Sequence, residues 1–147
     1  MMRVLVDADA CPVLALIRRL CAQAGVPVTT VASFRHDIGG EDHIMVGPES
    51  QAADMAIINR TRRGDVVVTQ DWGLAGLVLA KGATAISPWG HIFTDEEMDG
   101  RLAQRALHAR LRRGGVRLPG PARRTTADDL TFEQALRSVL DTPPAGG

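Results

Sequence analysis

The sequence predicts an α/β fold: a three-layer α/β/α sandwich with a central, mostly parallel sheet of about five strands, plus C-terminal helices. Three observations lead there. Short valine-rich runs alternate with stretches of helical periodicity, and strands separated by helices pair in parallel through right-handed crossovers. The strand-like runs are apolar throughout, as expected for strands covered on both faces. The chain has 147 residues, 45% hydrophobic and 23% charged, enough for one ordinary core and too apolar for a disordered chain.

Arg3-Val4-Leu5-Val6, ending at Asp7, reads as a buried first strand. Val13, Leu16, Ile17, Leu20, Cys21 and Ala24 then recur at helical spacing, with Pro12 in the first turn and Gly25 at the close. Val26 to Ala32 is the second strand, Ser33 to Asp42 a polar loop, and His43 to Val46 the third strand. Gly47-Pro48 opens a helix from about Glu49 to Arg63. Val66 to Thr69 is the most strand-like run; a helix to Lys81-Gly82 and a strand from Thr84 to Ser87 follow.

Thr94-Asp95-Glu96-Glu97 is a capping box, and Gly114-Gly115 ends the helix it starts. Leu118 to Arg124, with two prolines, reads as an extended linker. Thr126-Ala127-Asp128-Asp129 is a second capping box, before a helix with one apolar stripe of Phe132, Leu136, Val139 and Leu140. Residues 1–141 are thus expected to form one domain, with an α/β core at 1–93, a helical extension at 94–141 and a disordered tail at 142–147.

Net charge is zero, but unevenly spread. Residues 1–100 carry thirteen acids against eight bases, whereas residues 101–124 hold eight arginines and no acid. Arginine suits bidentate phosphate contacts; GC-rich coding would also inflate it. No window approaches eighteen apolar residues, so no membrane span is expected. Met1-Met2-Arg3 leads into a strand rather than a signal peptide. Two cysteines are too few for a disulfide scaffold, so a soluble, cytoplasmic protein is expected.

Four carboxylates carry the candidate chemistry. Asp7 and Asp9 lie just past the first strand and Asp71 just past the fourth, at the carboxyl edge where open α/β sheets bind ligands. If those strands are neighbours, Asp7 and Asp71 come within metal-sharing distance, and clustered carboxylates repel unless a cation neutralises them. Asp54, expected in mid-helix on the face of Ile57 and Ile58, would need a metal or a donor. The plainer reading makes Asp7 and Asp71 turn and helix caps, and Asp54 the edge of an apolar stripe. Asp65, before the fourth strand, reads as a turn residue at the opposite end. Cys11 is expected to begin a helix, where the dipole favours a thiolate. No histidine is placed beside it by sequence, and a packed cysteine is the favoured reading. About 15 Å of helical rise would keep it from Cys21.

Val6-Asp7-Ala8-Asp9-Ala10-Cys11-Pro12 resembles the opening of the YaiI/YqxD family of uncharacterised bacterial proteins. Ala53-Asp54, Gly64 to Asp71 with Leu74-Ala75, Gly82-Ala83, and the later Gly120-Pro121 with Phe132 and Leu136 extend the match over nearly the whole chain. That family is similar to the PIN-like nucleases. The resemblance implies strand order 3-2-1-4-5 and RNA hydrolysis with Mg²⁺ or Mn²⁺ held by acids at the carboxyl edge. By motif it makes Asp7 the strand-one acid, Asp54 the helix acid and Asp71 the strand-four acid, with Asp9 a further metal ligand. Many PIN nucleases carry another acid where this chain has Gly73.

On this reading carboxylate-held ions activate water and neutralise charge on the phosphate. Arg35 and His36, with Arg101, Arg105, Arg112 and Arg113, would hold single-stranded RNA. Arg101, Arg105, His108 and Arg112 fall on one helical face; the acidic face of residues 1–100 is their alternative partner. Trp72 and Trp89 are the candidates for base stacking, or else core. Two alternatives stay open. One is a catalytically inactive nucleic-acid-binding or interaction module, which Gly73 favours. The other is a phosphatase using Asp7-x-Asp9, which Lys81 argues against: it is the only lysine and lies away from the carboxyl edge. The oligomeric state has no sequence signal.

Overall fold

The computed structural model describes residues 2–33, 43–47, 51–98, 100 and 123–141. Its strands are β1 (Val4–Asp7), β2 (Val28–Ser33), β3 (His43–Val46), β4 (Val66–Val68) and β5 (Thr84–Ile86). Its longer helices are α1 (Leu14–Ala24), α2 (Ala52–Arg60), α3 (Trp72–Ala80) and α4 (Thr126–Asp141). Residues 95–98 are also helical. The expected tail at 142–147 lies outside the described residues.

The five strands form one sheet in the order β3-β2-β1-β4-β5, and every pair is parallel. This is the expected sandwich and order. At its centre Val4 pairs with Val66, Leu5 with Val67 and Val6 with Val68. All six side chains are fully buried, which explains why these strands have no polar alternation.

Side chains of successive strand residues point to opposite faces, and this splits the core. Val4, Val6, Val66 and Val68 meet Ile17 and Leu20 of α1 and Phe132, Leu136 and Val139 of α4. Leu5, Val31, Val67 and Ala85 meet Ile57 of α2 and Leu74, Ala75 and Val78 of α3. The apolar stripe read from the last helix therefore closes the α1 face of the sheet. Phe132 and Leu136 have no exposed surface, and truncating such a phenylalanine costs about 3–5 kcal/mol.

Several boundaries move for local reasons. β2 begins at Val28 rather than Val26, because the Val26 N–H donates to the Cys21 carbonyl in the turn closing α1. Gly25 takes the left-handed conformation there, φ 69°. α2 stops at Arg60 rather than Arg63: Thr61 turns extended, its N–H and hydroxyl both donate to the Ile57 carbonyl, and the Arg62 N–H turns to Asp65. The first capping box is seen as expected, with the Thr94 N–H donating to Glu97 Oε1 at 2.9 Å. The second sits one residue earlier than read. Thr125, not Thr126, exchanges hydrogen bonds with Asp128, and this leaves Asp129 for Arg124.

Asp65 marks the amino edge. It is 2% exposed and accepts hydrogen bonds from the Arg3 N–H and Nε and the Arg62 N–H. It is a turn residue, as read, and also a clamp between the starts of β1 and β4. At the carboxyl edge, residues 87–91 after β5 turn back and pack on α4. Gly90 has φ 89°, and a Cβ there would stand 3.0 Å from the Thr131 carbonyl oxygen. Only glycine fits that turn without strain.

Candidate functional site

β1 and β4 lie side by side, so Asp7, the last residue of β1, meets Thr69, the first residue after β4. The Thr69 hydroxyl donates to Asp7 Oδ2 at 3.0 Å and accepts the Asp71 N–H at 3.0 Å. One buried threonine thus ties the strand-one carboxylate to the backbone of the strand-four carboxylate. Asp71 then caps α3, its Oδ1 accepting the Leu74 N–H at 3.1 Å. The cap reading of Asp71 is therefore met.

Asp54 stands in the first turn of α2, not mid-helix as expected, because the helix begins at Ala52. Its carboxyl is pushed up to about 6, first by burial, then by the charges of Asp71 and Asp7, and by a hydrogen bond with Asp71. Asp7 is also raised. Burial is the main cause, the Thr69 hydrogen bond opposes it, and Asp9 and Asp71 add to it. Asp7, Asp54 and Asp71 therefore gather at one edge and repel one another. Among the described residues, however, no three His, Cys, Asp or Glu side chains make a group able to hold one metal ion. Asp71 is the carboxylate that acts most strongly on Asp54, and Asp7 acts on both through its charge.

Asp9 points elsewhere. Both of its oxygens accept the Ser33 N–H at 3.0 Å, and Oδ1 also accepts the Ser33 hydroxyl at 3.2 Å. It fastens the short 3₁₀ turn after β1, Ala8–Ala10, to the end of β2. Cys11 does not begin a helix. It lies in extended conformation after that turn, two residues before the cap of α1 at Val13; burial pushes its thiol up, and a backbone hydrogen bond from Val13 opposes this. Asp7 raises it further and the Arg124 cation lowers it. Cys21 is raised to about 11 by burial, and both cysteines are free thiols.

The two tryptophans are engaged. Trp72 packs edge-on to the buried Phe93, ring centroids 4.5 Å apart, and lies 5.7 Å from His91. His91 pairs with Glu97 at 2.7 Å. Trp89 carries the Arg124 guanidinium over its ring at 4.7 Å, so that face is not free for a base. Arg35, His36, Arg101, Arg105, His108, Arg112 and Arg113 lie outside the described residues. Lys81 donates to the Ile58 carbonyl at the far end of the sheet. Sequence reasoning missed Thr69, Ser33 and the particular place of Arg124. A threonine ending an all-valine strand two residues before an aspartate was the one available signal. Among the described residues no helix is long and apolar enough to cross a membrane.

A family model described as "Uncharacterized BCR, YaiI/YqxD family" matches residues 5–142. A UPF0178 protein of Heliobacterium modesticaldum is 44% identical over 141 residues, covering 95% of this chain and 97% of the relative. One of Alkaliphilus metalliredigens is 41% identical over 143 residues, covering 95% and 92%. One of Listeria monocytogenes is 40% identical over 141 residues, covering 94% and 95%. No solved structure matches the chain significantly.

Proposed function

This chain belongs to the uncharacterised YaiI/YqxD family, and we propose that it is a divalent-metal-dependent nuclease of the PIN-like kind. It would act in the cytoplasm on phosphodiester bonds of single-stranded RNA. The observation that carries the reading is the pairing of β1 with β4, which sets Asp7 and Asp71 on one edge with Thr69 bonded to both. The mutual repulsion of Asp54, Asp71 and Asp7 supports it.

The donor set fits a hard cation. Mg²⁺ keeps several waters and binds through one or two carboxylates plus substrate phosphates, so two neighbouring carboxylates suffice where no all-protein cage exists. Asp54 and Asp71 would hold the ion. When bound, Mg²⁺ or Mn²⁺ would supply an activated water and neutralise charge on the phosphate and the leaving oxygen. Asp7, fixed by Thr69, would orient the water and receive its proton, a task its raised carboxyl suits. Asp71 would keep its capping oxygen on Leu74 and offer the other. The arginines of 101–124, and Arg35, would hold the RNA backbone.

The test is hydrolysis of single-stranded RNA with Mg²⁺ or Mn²⁺. Cleavage is expected in wild type and is expected to disappear with chelator or with Asp71→Asn. Cleavage that survives both would contradict the assignment. Gly73 favours a second reading, an inactive module that binds nucleic acid; it predicts RNA binding with no cleavage under any metal. The phosphatase alternative loses ground, because Ser33 occupies both oxygens of the Asp9 that would serve as its acid.

A further inference from the structure

Arg124 precedes α4 and carries a charge that the fold only half answers. Its Nε donates to Asp129 Oδ1 at 2.7 Å. The guanidinium lies 4.7 Å from the Trp89 ring centroid, and the side chain is 16% exposed. Both terminal nitrogens, Nη1 and Nη2, are buried without a hydrogen-bond partner among the described residues. A guanidinium presents five donors in a rigid fork. Burying a cation is costly unless its donors are met, and buried polar atoms are rarely left unbonded. Asp129 is half exposed and takes only the Nε position.

Two features say what the fork is built for. It is planar and held from behind by the indole and from the side by Asp129, so it is preorganised for two oxygens of one oxyanion. It also stands at the carboxyl edge. Trp89, on which the guanidinium lies, is three residues beyond the end of β5, and the charges of Asp7 and Arg124 both act on the Cys11 thiol that follows β1. The stretch 101–124 that Arg124 closes holds eight arginines and no acid, which suits a polyanion rather than a lone carboxylate.

We propose that Arg124 is a phosphate-binding residue of this edge, its Nη1 and Nη2 taking two oxygens of one phosphate group of a single-stranded polynucleotide. The proposal deepens the nuclease reading by naming a residue that holds the substrate backbone at the sheet edge where Asp7 stands. Asp129 and Trp89 are its positioning residues.

The test uses Trp89 as reporter. In a full-length Trp72→Phe background it is the only indole, and no metal is added. Inorganic phosphate and a 5′-phosphorylated oligouridylate are titrated separately, with acetate as control. A saturable change in emission is expected with both phosphates and not with acetate. Arg124→Lys keeps the cation but loses the fork, and is expected to weaken both by about tenfold or more. Asp71→Asn is expected to leave the response intact while cleavage disappears, so failure of the nuclease reading stays separate from failure of this one. Three results would overturn the proposal: no saturable response to either phosphate in the unsubstituted Arg124 protein, Arg124→Lys binding as tightly as its parent, or inorganic phosphate binding that the oligouridylate cannot displace. The first needs no Arg124 variant and so holds even if that variant does not fold.

Discussion

Thr69 Oγ1 donates to Asp7 Oδ2 across 3.0 Å, from the end of one central strand to the end of its neighbour. This bond opposes the burial that raises the Asp7 carboxyl, and the same hydroxyl receives the Asp71 N–H. Thr69→Val keeps the shape and removes both bonds. The Asp7 carboxyl is then expected to titrate higher, which carboxyl-carbon NMR through an acid titration would show. Stability should fall by about 1–3 kcal/mol, because the Asp71 N–H and Asp7 Oδ2 lose a partner in a buried place.

Asp54 predicts an unusual pH dependence. Its folded value of about 6 lies above the ordinary 3.8, so the folded state binds the proton more tightly than the unfolded one. Its stabilising contribution is therefore complete below about pH 4 and is lost as pH rises through about 6. Without metal, the melting temperature of wild type should fall across that window relative to Asp54→Asn. The difference should be a few degrees at most, on the order of 1 kcal/mol after solvent screening.

Adding Mg²⁺ or Mn²⁺ at pH 7 should reverse that loss, since an ion that binds only the folded state stabilises it by RT ln(1 + [L]/K_d). Thermal melts with and without 5 to 10 mM ion, roughly the range that saturates a millimolar site, would show a rise in wild type. Asp54→Asn should be more stable than wild type without metal and should not respond to it.

Asp71 has two roles that substitution separates. Asp71→Asn retains a capping oxygen for Leu74 and removes charge, so the apo protein should keep its stability while losing the metal response. Asp71→Ala removes the cap as well and should cost about 1 kcal/mol. Chemical denaturation of the two variants checks this. Equal stabilities would mean that the cap seen at 3.1 Å contributes nothing.

Gly90→Ala tests how the carboxyl-edge turn is held on α4. Its Cβ would stand 3.0 Å from the Thr131 carbonyl oxygen, at φ 89°. The expected loss is about 1–3 kcal/mol, read as a lower denaturation midpoint. The same change should disturb Trp89 emission, since the indole belongs to the preceding residue.

The sheet was legible because its strands speak plainly. Val66-Val67-Val68 and Val4-Leu5-Val6 are apolar on both faces, and helical periods separate the runs. The placing of Asp7 and Asp71 followed from the strand ends alone. Other features depend on tertiary partners that the sequence does not announce. Asp9 reads like a second ligand beside Asp7, yet a 3₁₀ turn swings it onto Ser33. Cys11 looks like the start of a helix, but that same turn delays the helix to Leu14. The shift of the last capping box by one residue, from Thr126 to Thr125, decides whether Asp129 caps the helix or holds Arg124.

The most direct measurement is anomalous diffraction from crystals soaked in Mn²⁺. The account predicts a manganese peak at the carboxyl edge, bonded to Asp54 and Asp71 and within one water of Asp7, and a smaller peak or none in Asp71→Asn. At saturating Mn²⁺, no peak at these carboxylates, or an undiminished one in Asp71→Asn, would contradict the metal-dependent site.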